Sequence, residues 1–398
     1  MTYTFADRIS GLSPSAIREI LKYSADPEVV PLAAGNPAPE AFPTREIAEI
    51  SERLLRDRPT DALQYSLTEG YPALRNRLKA YMRDKHHAFH DGDELIITAG
   101  AQQVMGLAAK VLCNEGDIII CESPSFIGSL NAFRSLGARL VGVPVAADGM
   151  DLDALEAALQ AHPDARFIYT IPNFQNPTGI TMSLAKRRAL YALAKRYEVL
   201  ILEDNPYGDL RYRGEHIPSI KSLDEDGLVL YAGSFSKVLS PGMRVGYAIG
   251  PAPLIQKMVV AKQGEDVHTN IWAQIICDEF MGRYDYEAHL VRLQEIYRGK
   301  AALMQSLLDE HLAPAGITCH PIDGGLFMWC ELPEGTDMPL FCTRAVKEHK
   351  VAVVPGNAFL TDEKQPCRSF RVNFSTPTDE AMRRGIARLG AFARDCLR

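Results

Sequence analysis

From residue 94 onward the chain alternates between short runs that are apolar at nearly every position and longer stretches in which apolar residues recur every three or four positions. The seven short runs are ELIITAG, DIIICES, RLVGVPV, RFIYTIP, VLILEDN, LVLYAGSF and RVGYAIG, each bounded by Gly, Pro, Asp or Asn. A strand with one wet face alternates apolar and polar residues, whereas a strand covered on both faces does not need to. These runs therefore predict an α/β fold with a mostly parallel seven-stranded sheet sandwiched by helices. Stretches such as GAQQVMGLAAKVL and SLAKRRALYALAKRY supply the helices.

Two flanking regions break this rhythm. Near the start, SPSAIREILKYS places Ile17, Ile20 and Leu21 on one helical stripe, with Ser13 and Pro14 in cap and first-turn positions. PLAAGNPAPEAFP follows, too rich in Pro and Gly for a regular element, and reads as a crossing arm. Past residue 285 a long polar helix, YEAHLVRLQEIYRGKAALMQSLLDEHL, leads into GITCHPIDGGLFMWCEL, VAVVPG, RSFRVNFS and a terminal helix. The expected division is an N-terminal arm and helix over 1–45, a large domain over 46–284, and a smaller α+β domain over 285–398 that packs with part of the arm.

Composition narrows the classes of function. Of 398 residues, 46% are hydrophobic and 23% charged, the profile of a folded chain long enough for two cores. A net charge of −7 gives no electrostatic footprint for nucleic acid or an anionic membrane surface. No apolar run nears the roughly 20 residues that span a bilayer. The start, MTYTFADRIS, lacks the basic and then apolar pattern of a secretory signal, so a cytoplasmic protein is expected. Eight scattered cysteines form no Cys-x-x-Cys pair and read as buried, reduced thiols. His86, His87 and His90 read as a polar loop, since no metal-ligand spacing accompanies them, and no metal is expected.

Candidate chemistry gathers at the ends of the predicted strands, where open α/β sheets bind ligands. AGSFSKVLSPGMRVG holds Ser234, Ser236, Lys237 and Arg244 in close succession. Two hydroxyls and a guanidinium suit one dianion, and a lysine crowded by cations and apolar groups becomes a nucleophilic amine. TIPNFQNPTG, with Asn176, and LILEDNPYG, with Asp204, follow two further strands. Each is by itself consistent with a simple turn. ITAGAQQ sets Gly100, Ala101 and Gln102 at a helix start, whose free N–H groups suit a phosphate as readily as they make a plain turn. Neither a Gly-x-Gly-x-x-Gly nor a Walker-type loop occurs, which weakens a nucleotide reading.

The ordered series ITAGAQQ, SPSF, PNFQNPTG, EDNPYG, SFSK…PGMR and FRVNFS resembles the fold type I pyridoxal-phosphate-dependent aminotransferases of class I/II over nearly the whole chain. The N-terminal SAIREILK…AGNPAPEAFP is similar to the 2-aminoadipate and kynurenine aminotransferase subgroup. The resemblance implies pyridoxal 5′-phosphate as cofactor. Lys237 would hold it as a Schiff base and shuttle the substrate proton, and Asp204 would pair with the pyridine nitrogen. Asn176 and Tyr207 would bond the 3′-oxygen, and Phe126 would stack on the ring. Gly100, Ala101, Gln102, Ser234, Ser236 and Arg244 would hold the phosphate, joined by Tyr65 of the neighbouring subunit. Arg371 and Gly35 would bind the substrate α-carboxylate, with Asn176 beside them. Two departures stand out: Ala101 replaces a phosphate-binding serine common in relatives, and Phe126 replaces a tyrosine.

The implied activity moves the amino group of an α-amino acid (2-aminoadipate, aromatic or branched-chain) to 2-oxoglutarate by a ping-pong cycle, in a homodimer with a shared active site. No nucleic-acid or membrane partner is expected. Arg18 is either a partner for a distal substrate carboxylate or a solvent-facing helix arginine. Two alternatives stay open: a β-eliminating lyase on the same residues, and the ligand-sensing half of a regulator. The latter would carry a winged helix–turn–helix ahead of the arm, and here the arm begins almost at Met1.

Overall fold

The computed structural model describes residues 3–10, 20, 22–23 and 26–397, so Arg18 and most of the predicted first helix lie outside the described residues. All seven apolar runs are strands of one sheet. They are β1 (Asp93–Thr98), β2 (Ile118–Ser123), β3 (Arg139–Ala146), β5 (Phe167–Thr170), β6 (Leu200–Asp204), β7 (Val229–Ser234) and β8 (Gly246–Pro251). An eighth, β4 (Gly149–Met150), is a two-residue return that pairs antiparallel with the end of β3. The order across the sheet is β1-β8-β7-β6-β5-β2-β3-β4.

Alternation along these strands feeds two separate cores. Ile119, Phe167, Leu202 and Leu230 point into one, while Ile120, Ile168, Ile201 and Val229 point into the other. Helices cover both faces, among them α1 (Ala101–Leu112), α2 (Ile127–Ser135) and α3 (Leu184–Arg196). Of the seven long strands, only β8 runs against the others, and it aligns Thr98, Gly246 and Ser234 on a single rung. The carboxyl ends of β1, β5, β6 and β7 consequently share one edge of the sheet.

After α4 (Ile271–Arg283), the 26-residue helix α5 (Tyr286–His311) leads to a four-stranded sheet. Its strands are β9 (Thr318–Cys319), β10 (Phe327–Glu331), β11 (Val354–Pro355) and β12 (Ser369–Asn373), closed by α6 (Asp379–Cys396). The Pro-rich arm is more ordered than its composition predicts. Val30–Pro31 pairs in parallel with Val351–Ala352, and Pro39–Ala41 forms a 3₁₀ turn. Beyond it Asn373 N–H donates to Leu32 O at 2.7 Å, so the arm is laid along β12.

One side expectation changes. All eight cysteines are free thiols, but Cys113, Cys319, Cys367 and Cys396 are only half-buried. His90 Nε2 bonds the Lys221 carbonyl at 2.8 Å, and no metal-binding cluster exists among the described residues. No helix among those residues is long and apolar enough to cross a membrane.

Candidate active site

Each strand end delivers one part of the site. β1 passes through Gly100 into α1, where φ is +79° and an added Cβ would stand 2.5 Å from Arg244 Nη2. Only glycine meets both demands. No side chain caps the start of α1, which leaves its first N–H groups open to an anion. Across β8, a Cβ at Gly246 would lie 2.6 Å from Ala101 N, so the close approach of these segments is built into the backbone.

The end of β6 places Asp204 in a buried position with an asymmetric environment. Oδ2 accepts a hydrogen bond from Tyr169 at 2.8 Å, and Oδ1 is buried with no partner. Burial raises its carboxyl to about 7, opposed by the Tyr169 hydrogen bond. Beyond β7, Lys237 Nζ donates to Gly35 O at 2.7 Å. Burial, then the nearby Arg371 and Arg244 charges, bring this amine down to about 8. Gly35, expected to donate to a substrate carboxylate, here presents its carbonyl to the lysine.

The small domain contributes Arg371 from β12. Its guanidinium lies 4.0 Å from the Phe327 ring centre and 4.9 Å from that of Phe359. Nη1 donates to Asn176 Oδ1 at 2.7 Å, Nη2 to Ala33 O at 2.8 Å, and the buried Nε has no partner. No carboxylate pairs with it among the described residues, and burial lowers it to about 10. A buried cation with a spare donor and no acid is a site for an incoming anion. Asn176 Nδ2 donates to the Tyr207 hydroxyl at 3.3 Å, and burial is the main reason that phenol is raised above its ordinary value.

A cavity of about 300 Å³ gathers these groups. Of the predicted residues, Gly35, Ala101, Gln102, Phe126, Asn176, Asp204, Tyr207, Ser234, Ser236, Lys237, Arg244 and Arg371 all line it. Gly100 lies beneath the Arg244 guanidinium. Tyr65 is not brought in: it is 82% exposed, edge-on to His268. The sequence reading missed Asn36, Met105, Ser129, Ile171 and Phe327 in the lining, and Tyr169 behind it. Tyr169 had a signal, a phenol in a short strand whose other hydroxyl is Thr170; Phe327 had none, since its run reads only as core.

The model of aminotransferase class I and II matches residues 27–389. The chain belongs to that family. It is 38% identical over 389 residues to aromatic-amino-acid aminotransferase 1 of Thermococcus litoralis, covering 97% of this chain and 93% of that one. It is also 38% identical over 382 residues to the 2-aminoadipate transaminase of Thermus thermophilus, covering 95% and 94%. An α-aminoadipate aminotransferase from Thermus thermophilus, solved with N-(5′-phosphopyridoxyl)-L-leucine, superposes with a TM-score of 0.90 at 37% identity, covering 99% and 97%.

The protein is thus an aminotransferase of the pyridoxal-phosphate-dependent type, and its cavity fits that cofactor. The open N–H groups of α1, with Ser234, Ser236 and Arg244, suit a phosphate. The partnerless Asp204 Oδ1 suits a protonated ring nitrogen, and Lys237 a carbonyl carbon.

Proposed function

We propose that this aminotransferase takes the amino group of an α-amino acid of the aromatic or 2-aminoadipate type and delivers it to 2-oxoglutarate. One observation carries the reading: a single cavity holds a lysine brought down to about 8 together with a buried, acid-free arginine. An amine near neutrality at working pH accepts and returns a proton efficiently. The arginine gives the carboxylate shared by donor and acceptor one fixed place.

When bound, the cofactor supplies the electron sink for the pair left on the substrate α-carbon. Lys237 would hold it covalently and, once displaced, carry the proton to and from that carbon. Asp204 would face the ring nitrogen, Asn176 and Tyr207 the 3′-oxygen, and Phe126 the ring face. Arg371 would fix the α-carboxylate so that the Cα–H bond meets the lysine. Phe126, Ile171 and Phe327 make the remaining wall apolar, which favours aromatic donors. A distal carboxylate would need Arg18 or a second subunit.

The same proposal includes a cytoplasmic homodimer in which Tyr65 serves the partner's phosphate. It divides the chain into an arm over 1–45, a large domain over 46–284 and a small domain over 285–398. The test is a panel of amino donors in half-reactions, each read by the cofactor's absorbance before any acceptor is added. Aromatic amino acids and 2-aminoadipate convert the spectrum, and 2-oxoglutarate restores it. Release of ammonia without an acceptor would overturn the transfer reading in favour of elimination. Borohydride reduction labels the peptide containing Lys237, and Lys237→Ala abolishes both the label and turnover.

A further inference from the structure

A buried carboxylate with one occupied and one open oxygen must be held in orientation, and the residues behind Asp204 do this. Tyr169 is fully buried in β5, its ring edge-on to Phe133 at 5.3 Å between centres and 78° between planes. Its hydroxyl lies 2.8 Å from Asp204 Oδ2 and 2.8 Å from Ser129 Oγ. Ser129 is itself fully buried, in the first turn of α2. A phenol has one proton and an ionised carboxylate only accepts. The phenol proton therefore goes to Oδ2, and the Ser129 hydroxyl donates to the phenol oxygen.

We infer that Tyr169 is a positioning residue: its hydroxyl, backed by Ser129, holds Asp204 as an oriented carboxylate whose Oδ1 stays open for the cofactor's ring nitrogen. The inference rests on the cofactor reading above only for what Oδ1 meets. Desolvation by itself favours the neutral acid, which would compete for the proton that the ring nitrogen must keep. A donor on Oδ2 makes the carboxylate a weaker base, so a proton shared across Oδ1 stays on the partner. The titratable groups facing Asp204 are Tyr169, Tyr207 and Glu122. Glu122, on β2, is also pushed by burial to about 7, so its signal must be separated from that of Asp204.

Tyr169→Phe keeps the ring and removes one hydroxyl. The full chain is stripped of cofactor and its carboxylic-acid C=O infrared band is titrated, with Asp204→Asn subtracted to remove Glu122. The expected result is an Asp204 midpoint about one pH unit higher, the size of one lost hydrogen bond to a charged group. Ser129→Ala, which leaves the phenol, moves the midpoint the same way by less. On adding pyridoxal phosphate, Tyr169→Phe binds it about tenfold more weakly, again one charged hydrogen bond, and kcat falls with little change in KM for the donor. A midpoint unmoved in both variants overturns the inference, whatever activity does. If the midpoint moves but the parent chain binds no pyridoxal phosphate, the cofactor reading fails and with it the partner of Oδ1.

Discussion

The two buried charged groups on either side of the cavity make opposite demands on the protein. Burial raises the Asp204 carboxyl from 3.8 to about 7. A folded-state acid that holds its proton more tightly than the unfolded chain costs stability as that proton leaves. The cofactor-free protein is therefore expected to lose melting temperature as pH rises through this interval, and Asp204→Asn to flatten part of the loss, read by calorimetry at fixed ionic strength. Lys237 does not blur the result, because its depressed value affects stability only above about 8. For Arg371, two rings and two hydrogen bonds fix a planar fork that lysine cannot reproduce. Arg371→Lys should lower kcat/KM for every donor and acceptor alike, by about two orders of magnitude, since breaking a buried charged pair costs roughly 2–5 kcal/mol. Unequal losses across side chains would show that it reads more than the α-carboxylate. At this scale the sequence revealed Lys237 by the crowding of Ser234, Ser236 and Arg244 around it, and Asp204 only by its place in the ordered series of motifs. It concealed Phe327 and marked Tyr169 only by a phenol, because the importance of both lies in what they touch.

Among the elements, strands were legible because burial on both faces leaves a continuous apolar run, and all seven such runs pair in one sheet. Helices bounded by Ser183, Asp285 and Thr378 begin where those residues cap backbone N–H groups. What the pattern could not give was order and direction, since apolar runs pair equally well with several neighbours. The reversed β8 is an instance, and so is the ion cluster that ties the sheet edge together. Lys221 Nζ lies 2.8 Å from both Asp93 of β1 and Asp224, with its own side chain 1% exposed. Burial alone would raise Asp224, yet Lys221 and two backbone N–H groups hold it below its ordinary range. Lys221→Met should destabilise the protein by about 3–5 kcal/mol, because two buried carboxylates lose their counter-charge. Adding Asp93→Asn and Asp224→Asn should recover most of that loss in denaturant titrations.

For the molecule as a whole, the arm and small domain meet the large domain at the cavity. Ala33 and Asn176, from opposite sides, both accept from Arg371. The outlying residue is Tyr65, exposed beside Leu63 and Leu67, which are 70% and 53% exposed. If the site is completed by a second copy, light scattering should give twice the 44.0 kDa chain mass. Mixing Lys237→Ala with Tyr65→Ala should then restore activity that neither variant has alone, because one site of each mixed pair is intact. A mixture that stays inactive while exchanging subunits would place Tyr65 in the site of its own subunit, and a Tyr65→Ala chain fully active alone would place it outside the chemistry.

The single rung shared by Thr98, Gly246 and Ser234 has a further consequence. Because Arg244 precedes β8 by two residues, the pairing of that strand acts as a caliper for the anion cradle. Inserting one residue between Arg244 and Gly246 should spare the hydrophobic layers, yet shift the guanidinium out of step with Gly100. Such a chain would fold and still fail to retain its vitamin, a defect of alignment that no inventory of its side chains would reveal.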